Sequence, residues 1–149
     1  MRRVLIIFTL VFMAVLVLDQ CIKCFFVQTN FTMLGEYIDL VLTYNRGVAF
    51  SLFEFFGEWL KWIQIGLIVG IFGYLVYEKT LLKSHTIELG AILGAGVSNV
   101  LDRFNYGGVV DYIFWHKWFN FAVFNLADVI INLAVFGIIL KSFFNKSKK

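Results

Sequence analysis

Residues 4–27 read VLIIFTLVFMAVLVLDQCIKCFFV, and this run decides the fold class. Through residue 18 the only polar side chain is Thr9; Asp19, Gln20 and Lys23 then break the pattern near its far end. A helix of about 20 apolar residues crosses a bilayer, so the run predicts a membrane span with charge inside it. Three further stretches have the same character, at about residues 59–77, 86–101 and 121–140. The last is roughly 30 Å long at about 1.5 Å per residue. Helices pack in lipid through small residues. Gly66 and Gly70 in the second stretch, and Gly90, Gly94 and Ser98 in the third, have that spacing. Taken singly, each glycine is equally well explained as merely tolerated in a membrane helix.

Composition agrees. The 149 residues are 60% hydrophobic and 15% charged, and mean hydropathy is +0.83. A soluble domain is about half apolar and about a quarter charged. Eighteen Phe and no Pro exclude collagen-like, Pro-rich and disordered chains. Two Cys are too few for a secreted disulfide scaffold. The net charge of +3 is small, and eight of the 13 Lys and Arg lie at the ends and in one short loop. That is not the patch a nucleic-acid binder needs. With no linker or repeat, residues 1–149 read as one integral-membrane domain.

Lys and Arg concentrate in cytoplasmic loops. Arg2 and Arg3 precede the first span, Lys79 and Lys83 lie between the second and third, and Lys141, Lys146, Lys148 and Lys149 follow the fourth. Both termini and the short middle loop are therefore expected to be cytoplasmic. The outer side then receives about residues 28–58 and 104–120, where Arg46 and Lys117 are the only Lys or Arg. Met1-Arg2-Arg3 before an apolar run also resembles a signal peptide. Leu18-Asp19-Gln20-Cys21, however, lacks the small residues of a cleavage site, so the first span is expected to stay. In the first outer segment Tyr37-Ile38-Asp39-Leu40-Val41-Leu42-Thr43-Tyr44 is rich in β-formers and Asn45-Arg46-Gly47 is a turn. A small β-element on the outer face is expected. The second, with Gly107-Gly108, Trp115, Trp118 and several Phe, suits an aromatic interface.

Depth sorts the polar residues. Asp19 lies fifteen residues beyond Val4, roughly 22 Å from the cytoplasmic end. Asn99 and Asp102 reach a similar depth from residue 86. Asp128 lies roughly 10 Å below the outer surface if its span begins at residue 121, and Asp111 just precedes that span. These positions converge on the outer third of the bilayer. Ionisable groups in spans face the bundle interior and are functional candidates. Asp19 and Lys23, four apart, form a local pair on one helical face. Asp102 beside Arg103 reads as a positioning pair. Asp111 and Asp128 have no adjacent basic residue. Two neighbouring carboxylates in a low dielectric share a proton, which is how an aspartic protease activates water with one and protonates the carbonyl with the other.

Other chemistries are poorly supplied. His85 is cytoplasmic by topology and His116 is the only outer histidine, so no Ser-His pair is placed for attack. No His/Cys cluster has transition-metal spacing, and no metal is expected; carboxylates alone could hold only a hard cation. Cys21 and Cys24 form a C-x-x-C. Helical geometry strains such a disulfide, and apolar filling is the better reading. Glu88 is expected to reach water at the inner end of the third span, and His116 to be interfacial.

Five blocks then carry a resemblance. They are Asp19-Gln20 with Lys23, Asn45-Arg46-Gly47-Val48-Ala49-Phe50-Ser51, Gly94-Ala95-Gly96-Val97-Ser98-Asn99-Val100-Leu101-Asp102-Arg103, Gly108-Val109-Val110-Asp111-Tyr112-Ile113, and Phe124-Asn125-Leu126-Ala127-Asp128. In this order the chain resembles the lipoprotein signal peptidases, the type II signal peptidases of bacteria. The resemblance implies that Asp111 and Asp128 are catalytic, the same pair that depth isolates. It implies that Asp19, Lys23, Asn45, Gly47, Asn99, Asp102, Arg103, Asn125 and Ala127 shape or support the site. It further implies a β-cradle and a mobile loop on the outer face, and aspartic endopeptidase activity without cofactor. The substrate would be a prolipoprotein in the lipid, cut just before its diacylglyceryl-modified cysteine by a monomer of the bacterial inner membrane whose site faces outward. Asn45, Asn99 and Asn125 would donate to the substrate backbone. The rival class is a small four-span transporter or proton relay. It also uses intramembrane acids, but should spread them across the bilayer.

Overall fold

The computed structural model describes residues 1–47, 54–119 and 121–146. Residues 48–51 of the second sequence block, Asn120 at the end of the second outer segment, and Lys148 and Lys149 of the basic tail lie outside the described residues. The first apolar run forms α1 (Arg2–Thr29), closed by Asn30 in the left-handed conformation at φ 50°. After it come strand β1 (Ile38–Asn45), a 3-10 turn (Glu54–Phe56) and α2 (Trp59–Tyr77). A short helix α3 (Lys79–Ser84), α4 (Thr86–Tyr106), strand β2 (Val109–Trp115) and α5 (Leu126–Lys146) complete the chain.

Among the described residues three helices are long and apolar enough to cross a membrane: Arg2–Thr29, Trp59–Tyr77 and Leu126–Phe144. Their apolar side chains point outward: Leu10, Leu67 and Leu133 are each more than 60% exposed. In water this surface would aggregate; in hydrocarbon it is solvated. The protein is a multi-pass membrane protein. Helix α4 differs. It is as long as α5 but carries Glu88, Asp102 and Arg103, and it lies at the centre of the bundle, packed on α1, α2 and α5. Its buried residues include Leu89, Leu93, Ala95, Ser98, Asn99 and Asp102.

Gly90 and Gly94 explain how α1 and α4 come so close. A Cβ on Gly90 would meet the Phe8 carbonyl oxygen at 2.9 Å, and one on Gly94 the Phe12 carbonyl oxygen at 2.5 Å. The packing role read for Gly66 and Gly70 does not hold, because neither has a neighbour within 4 Å of a built Cβ. At the end of the bundle away from the sheet, Phe8, Leu75, Leu82, Leu89 and Leu93 form an apolar core. Glu88, expected to reach water, is instead mostly buried there and paired with Lys141. Cys21 and Cys24 are free thiols on the exposed face of α1 and fill no core.

The β-element is a two-stranded antiparallel sheet. Its register pairs Thr43 with Asp111, Tyr44 with Val110 and Asn45 with Val109, with an irregularity between Leu40 and Thr43. Strand β1 matches expectation within a residue at each end. Strand β2 was not foreseen in the second outer segment. Phe124 continues the pairing with β2: its N–H donates to the Ile113 carbonyl at 3.0 Å, and its carbonyl accepts from the Tyr112 and Ile113 N–H groups. Helix α4 continues to Tyr106, beyond the expected residue 101, and stops at Gly107, whose φ of 71° a side chain would strain.

Candidate active site

The turn Asn125-Leu126-Ala127-Asp128 builds the site. Asn125 caps α5: its side-chain oxygen accepts the Asp128 N–H at 3.0 Å, and the Asp128 carboxylate accepts the Asn125 N–H at 3.2 Å. This reciprocal arrangement is a capping box, and it starts α5 at Leu126 rather than at the expected residue 121. The other free N–H groups of that first turn are taken by distant elements. Leu126 N–H donates to the Tyr112 hydroxyl at 3.1 Å and Ala127 N–H to Asp19 Oδ1 at 2.9 Å. All three N–H groups are thereby satisfied without water, and α5 is locked to β2 and α1. Asp128 stands on the first turn of α5, not a third of the way down a span.

Asp111 arrives from β2 and is 1% exposed. Asn125 Nδ2 donates to Asp111 Oδ1 at 2.8 Å and also reaches the Val110 carbonyl and Asn99 Oδ1, each at 3.2 Å. Asn99 Nδ2 donates to Asp128 Oδ1 at 3.0 Å. Asn125 thus holds Asp111 and Asn99 holds Asp128, the two asparagines hold each other, and Asn45 is a further hydrogen-bond partner of Asp111. The amide groups of Asn99 and Asn125 bond to the aspartates in this structure. Burial and the Asp128 charge push the Asp111 carboxyl up to about 7, against the lowering pull of Asn45, Asn125 and Lys23.

Beneath the pair lies a buried ion cluster. Lys23 Nζ contacts Asp19 Oδ2, Asp102 Oδ2 and Asn99 Oδ1, each at 2.7 Å. The expected local Asp19–Lys23 pair is present, extended across to α4. Ser98 Oγ donates to Asp19 at 2.6 Å, Gln20 Nε2 to Asp102 at 2.8 Å, and Val110 N–H to Asp102 at 3.1 Å. A buried ion pair is tolerable only when its remaining lone pairs find donors, and here they do. Asp102 and Arg103 are not each other's partners, contrary to the positioning pair expected. Arg103 donates instead to the Arg46 carbonyl at 3.4 Å and to the Gly47 carbonyl, holding the turn after β1. The Gly47 N–H in turn donates to Asn45 Oδ1 at 3.0 Å.

The fold thus brings together the residues that the five blocks supply: Asp19, Lys23, Asn45, Gly47, Asn99, Asp102, Arg103, Asp111, Asn125, Ala127 and Asp128. Three more were missed. Ser98 has the spacing of a packing residue, yet it falls four before Asp102, on the polar face of α4, and donates to Asp19. Gln20, beside Asp19 in the first block, donates to both Ser98 and Asp102. Tyr112 stacks on Phe26, ring centroids 4.4 Å apart, while its hydroxyl caps α5. A buried tyrosine must find a partner for its hydroxyl, and that was the available signal. His116 pairs with Asp39 at 3.0 Å, away from this cluster.

Residues 11–144 match the sequence model of the family described as Signal peptidase (SPase) II. The chain belongs to the signal peptidase II family. Similar curated proteins include a lipoprotein signal peptidase of Campylobacter jejuni, 52% identical over 143 residues and covering 93% of this chain and 88% of its own length. Another, from Helicobacter pylori, is 48% identical over 148 residues, covering 99% of this chain and 94% of its own length. Among solved structures, a bacterial membrane enzyme determined in meso at 2.3 Å resolution superposes with a TM-score of 0.77 at 22% identity, over 94% of this chain and 89% of that one. A second, determined in meso at 1.9 Å, gives a TM-score of 0.70 at 21% identity, over 89% of each. These two share the fold. As a signal peptidase II, the protein is a membrane peptidase, and its conspicuous polar cluster is the candidate for its active site.

Proposed function

We propose that this signal peptidase II removes the signal peptide from diacylglyceryl-modified prolipoproteins, cutting just before the lipidated cysteine, and that Asp111 and Asp128 are its catalytic dyad. The observation that carries the dyad is the pair of asparagines, each holding one of two buried carboxylates from different elements. In the proposed reaction one carboxylate takes a proton from water as the water oxygen bonds to the scissile carbonyl carbon. The other, protonated, donates to the carbonyl oxygen. The tetrahedral intermediate then collapses, the C–N bond breaks, and the cysteine amino group leaves with a proton from the dyad. The pair titrates jointly, so the two roles belong to the dyad rather than to one residue. Lys23, Asp19 and Asp102 hold the asparagine platform, while Asn45, Gly47 and Arg103 shape the turn above it.

In the same reading α4 is the fourth span, shielded from lipid by its neighbours. The ends rich in Lys and Arg face the cytoplasm, and the sheet lies on the outer face of the bacterial inner membrane. The monomer meets its substrate laterally, the apolar α1, α2 and α5 surfaces admitting a signal helix and acyl chains from the bilayer. The test is a gel-shift assay on purified protein with lipidated and unlipidated precursor and no ion gradient. Wild type should cut only the lipidated form, and Asp111→Asn and Asp128→Asn should each lose at least about a thousandfold in rate while remaining folded. Full cleavage by either variant would sink the dyad, and a requirement for a gradient would favour a proton relay.

A further inference from the structure

Helices α2, α4 and α5 line a half-open cavity of about 230 Å³ that the mechanism above does not use. Its walls are aliphatic, with Ile68, Ile71, Ile92 and Ile131 prominent, and two polar side chains line it, Gln64 and Asn99. Asn99 donates to Asp128, so the cavity adjoins the proposed dyad. The side-chain oxygen of Asn99 is already taken by Lys23 and Asn125. Gln64 is different: its Oε1 is buried and accepts no hydrogen bond. Gln64, Leu67, Ile68 and Ile71 follow the i, i+3, i+4, i+7 pattern that places them on one face of α2, and all four line the cavity. An acceptor held in an apolar wall without a donor is destabilising, and such a group in a native fold calls for an explanation.

We propose that Gln64 is a substrate-binding residue: its Oε1 accepts a backbone N–H of the signal-peptide segment, and the cavity beside it takes one aliphatic side chain of that segment. The inference rests on the peptidase reading above. An acyl chain has no N–H to offer, whereas an extended peptide presents an N–H and a side chain together. The volume is below the roughly 300 Å³ at which pockets for whole ligands begin, and it suits a single side chain.

Purified full-length protein and lipidated precursor test this. Gln64→Met keeps the side-chain length and removes both polar atoms. It should raise KM about tenfold with kcat within about twofold, the signature of lost ground-state binding by one hydrogen bond. Its Tm should be unchanged or higher, because the orphaned acceptor is gone. Gly96→Ala is the second variant: its Cβ would lie 3.5 Å from Ile68 Cδ1, an ordinary contact that narrows the cavity without moving backbone. On precursors differing only in one aliphatic residue of the signal segment, it should shift preference from the larger side chain to the smaller. Wild type that cuts the lipidated precursor, together with Gln64→Met whose KM stays within about twofold or whose activity falls in step with Tm, overturns this inference alone. An unshifted preference in Gly96→Ala overturns the side-chain site. Wild type that cuts nothing overturns the peptidase reading instead.

Discussion

Asp111 is the residue on which stability and activity pull in opposite directions. Its carboxyl is pushed from 3.8 up to about 7 by burial and by Asp128, so the folded protein keeps a proton that the unfolded chain releases near pH 4. The stability this brings is fully present below the unfolded value and is lost as pH rises toward about 7. Each pKa unit corresponds to about 1.4 kcal/mol, so the loss is on the order of a few kcal/mol. Asp111→Asn cannot ionise and still offers an oxygen to Asn125. It should therefore raise Tm at pH 8, by an amount that shrinks toward pH 4, while abolishing cleavage. Wild-type cleavage should decline above about pH 7 as the dyad loses its shared proton. A Tm difference that is flat with pH in thermal melts would contradict the assignment. Residue types and depth isolated Asp111 and Asp128 from the bare chain, because an acid in an apolar span has few uses. What each asparagine does was not legible: Asn99 and Asn125 are 26 residues apart, and nothing local says that they bond to each other.

Elements meet at two kinds of contact, close backbone approach and helix capping. Helices α1 and α4 touch through Gly90 and Gly94, where the built Cβ of Gly94 falls 2.5 Å from a carbonyl oxygen of α1. Backbone cannot swing aside like a side chain. Gly94→Ala should push the helices apart at a cost of about 1–3 kcal/mol and weaken the Lys23 cluster that spans them. Gly66→Ala meets nothing within 4 Å and should leave Tm within about 1 °C or raise it, since alanine favours helix by up to about 1 kcal/mol. Thermal unfolding of the two variants side by side checks this; equal losses would mean that the α1–α4 approach is not the contact that matters. Long apolar helices were legible because hydropathy alone marks them. Strand β2 was not. Val109, Val110, Asp111 and Tyr112 are all buried, so the strand lacks the alternation that reveals a half-exposed one. The start of α5 was missed for a related reason: Phe121 to Phe124 are as apolar as the helix, and only the capping box at Asn125 marks the boundary.

The whole molecule is asymmetric along its long axis, with the sheet and the polar cluster at one end and the Glu88–Lys141 pair at the other. The proposed orientation predicts that, in a variant whose Cys21 and Cys24 are replaced by serine, Lys117→Cys reacts with a membrane-impermeant maleimide in intact cells. Lys83→Cys should react only after the membrane is opened. The reverse pattern would invert the molecule and place the candidate site on the wrong side for an exported substrate. By itself the sequence determined that this is a membrane protein, that charge lies at one depth within it, and which two of the acids at that depth have no Lys or Arg within four positions. Those are properties of composition and of helical rise, which act on each segment separately. Tertiary structure decided the rest: that Lys23 serves Asp102 as well as Asp19, that Arg103 holds the Asn45-Arg46-Gly47 turn rather than Asp102, and that Tyr112 and Asp19 cap α5. A buried charge or N–H must find its partner wherever the fold brings one within about 3 Å, and that distance is set by packing between segments remote in the chain.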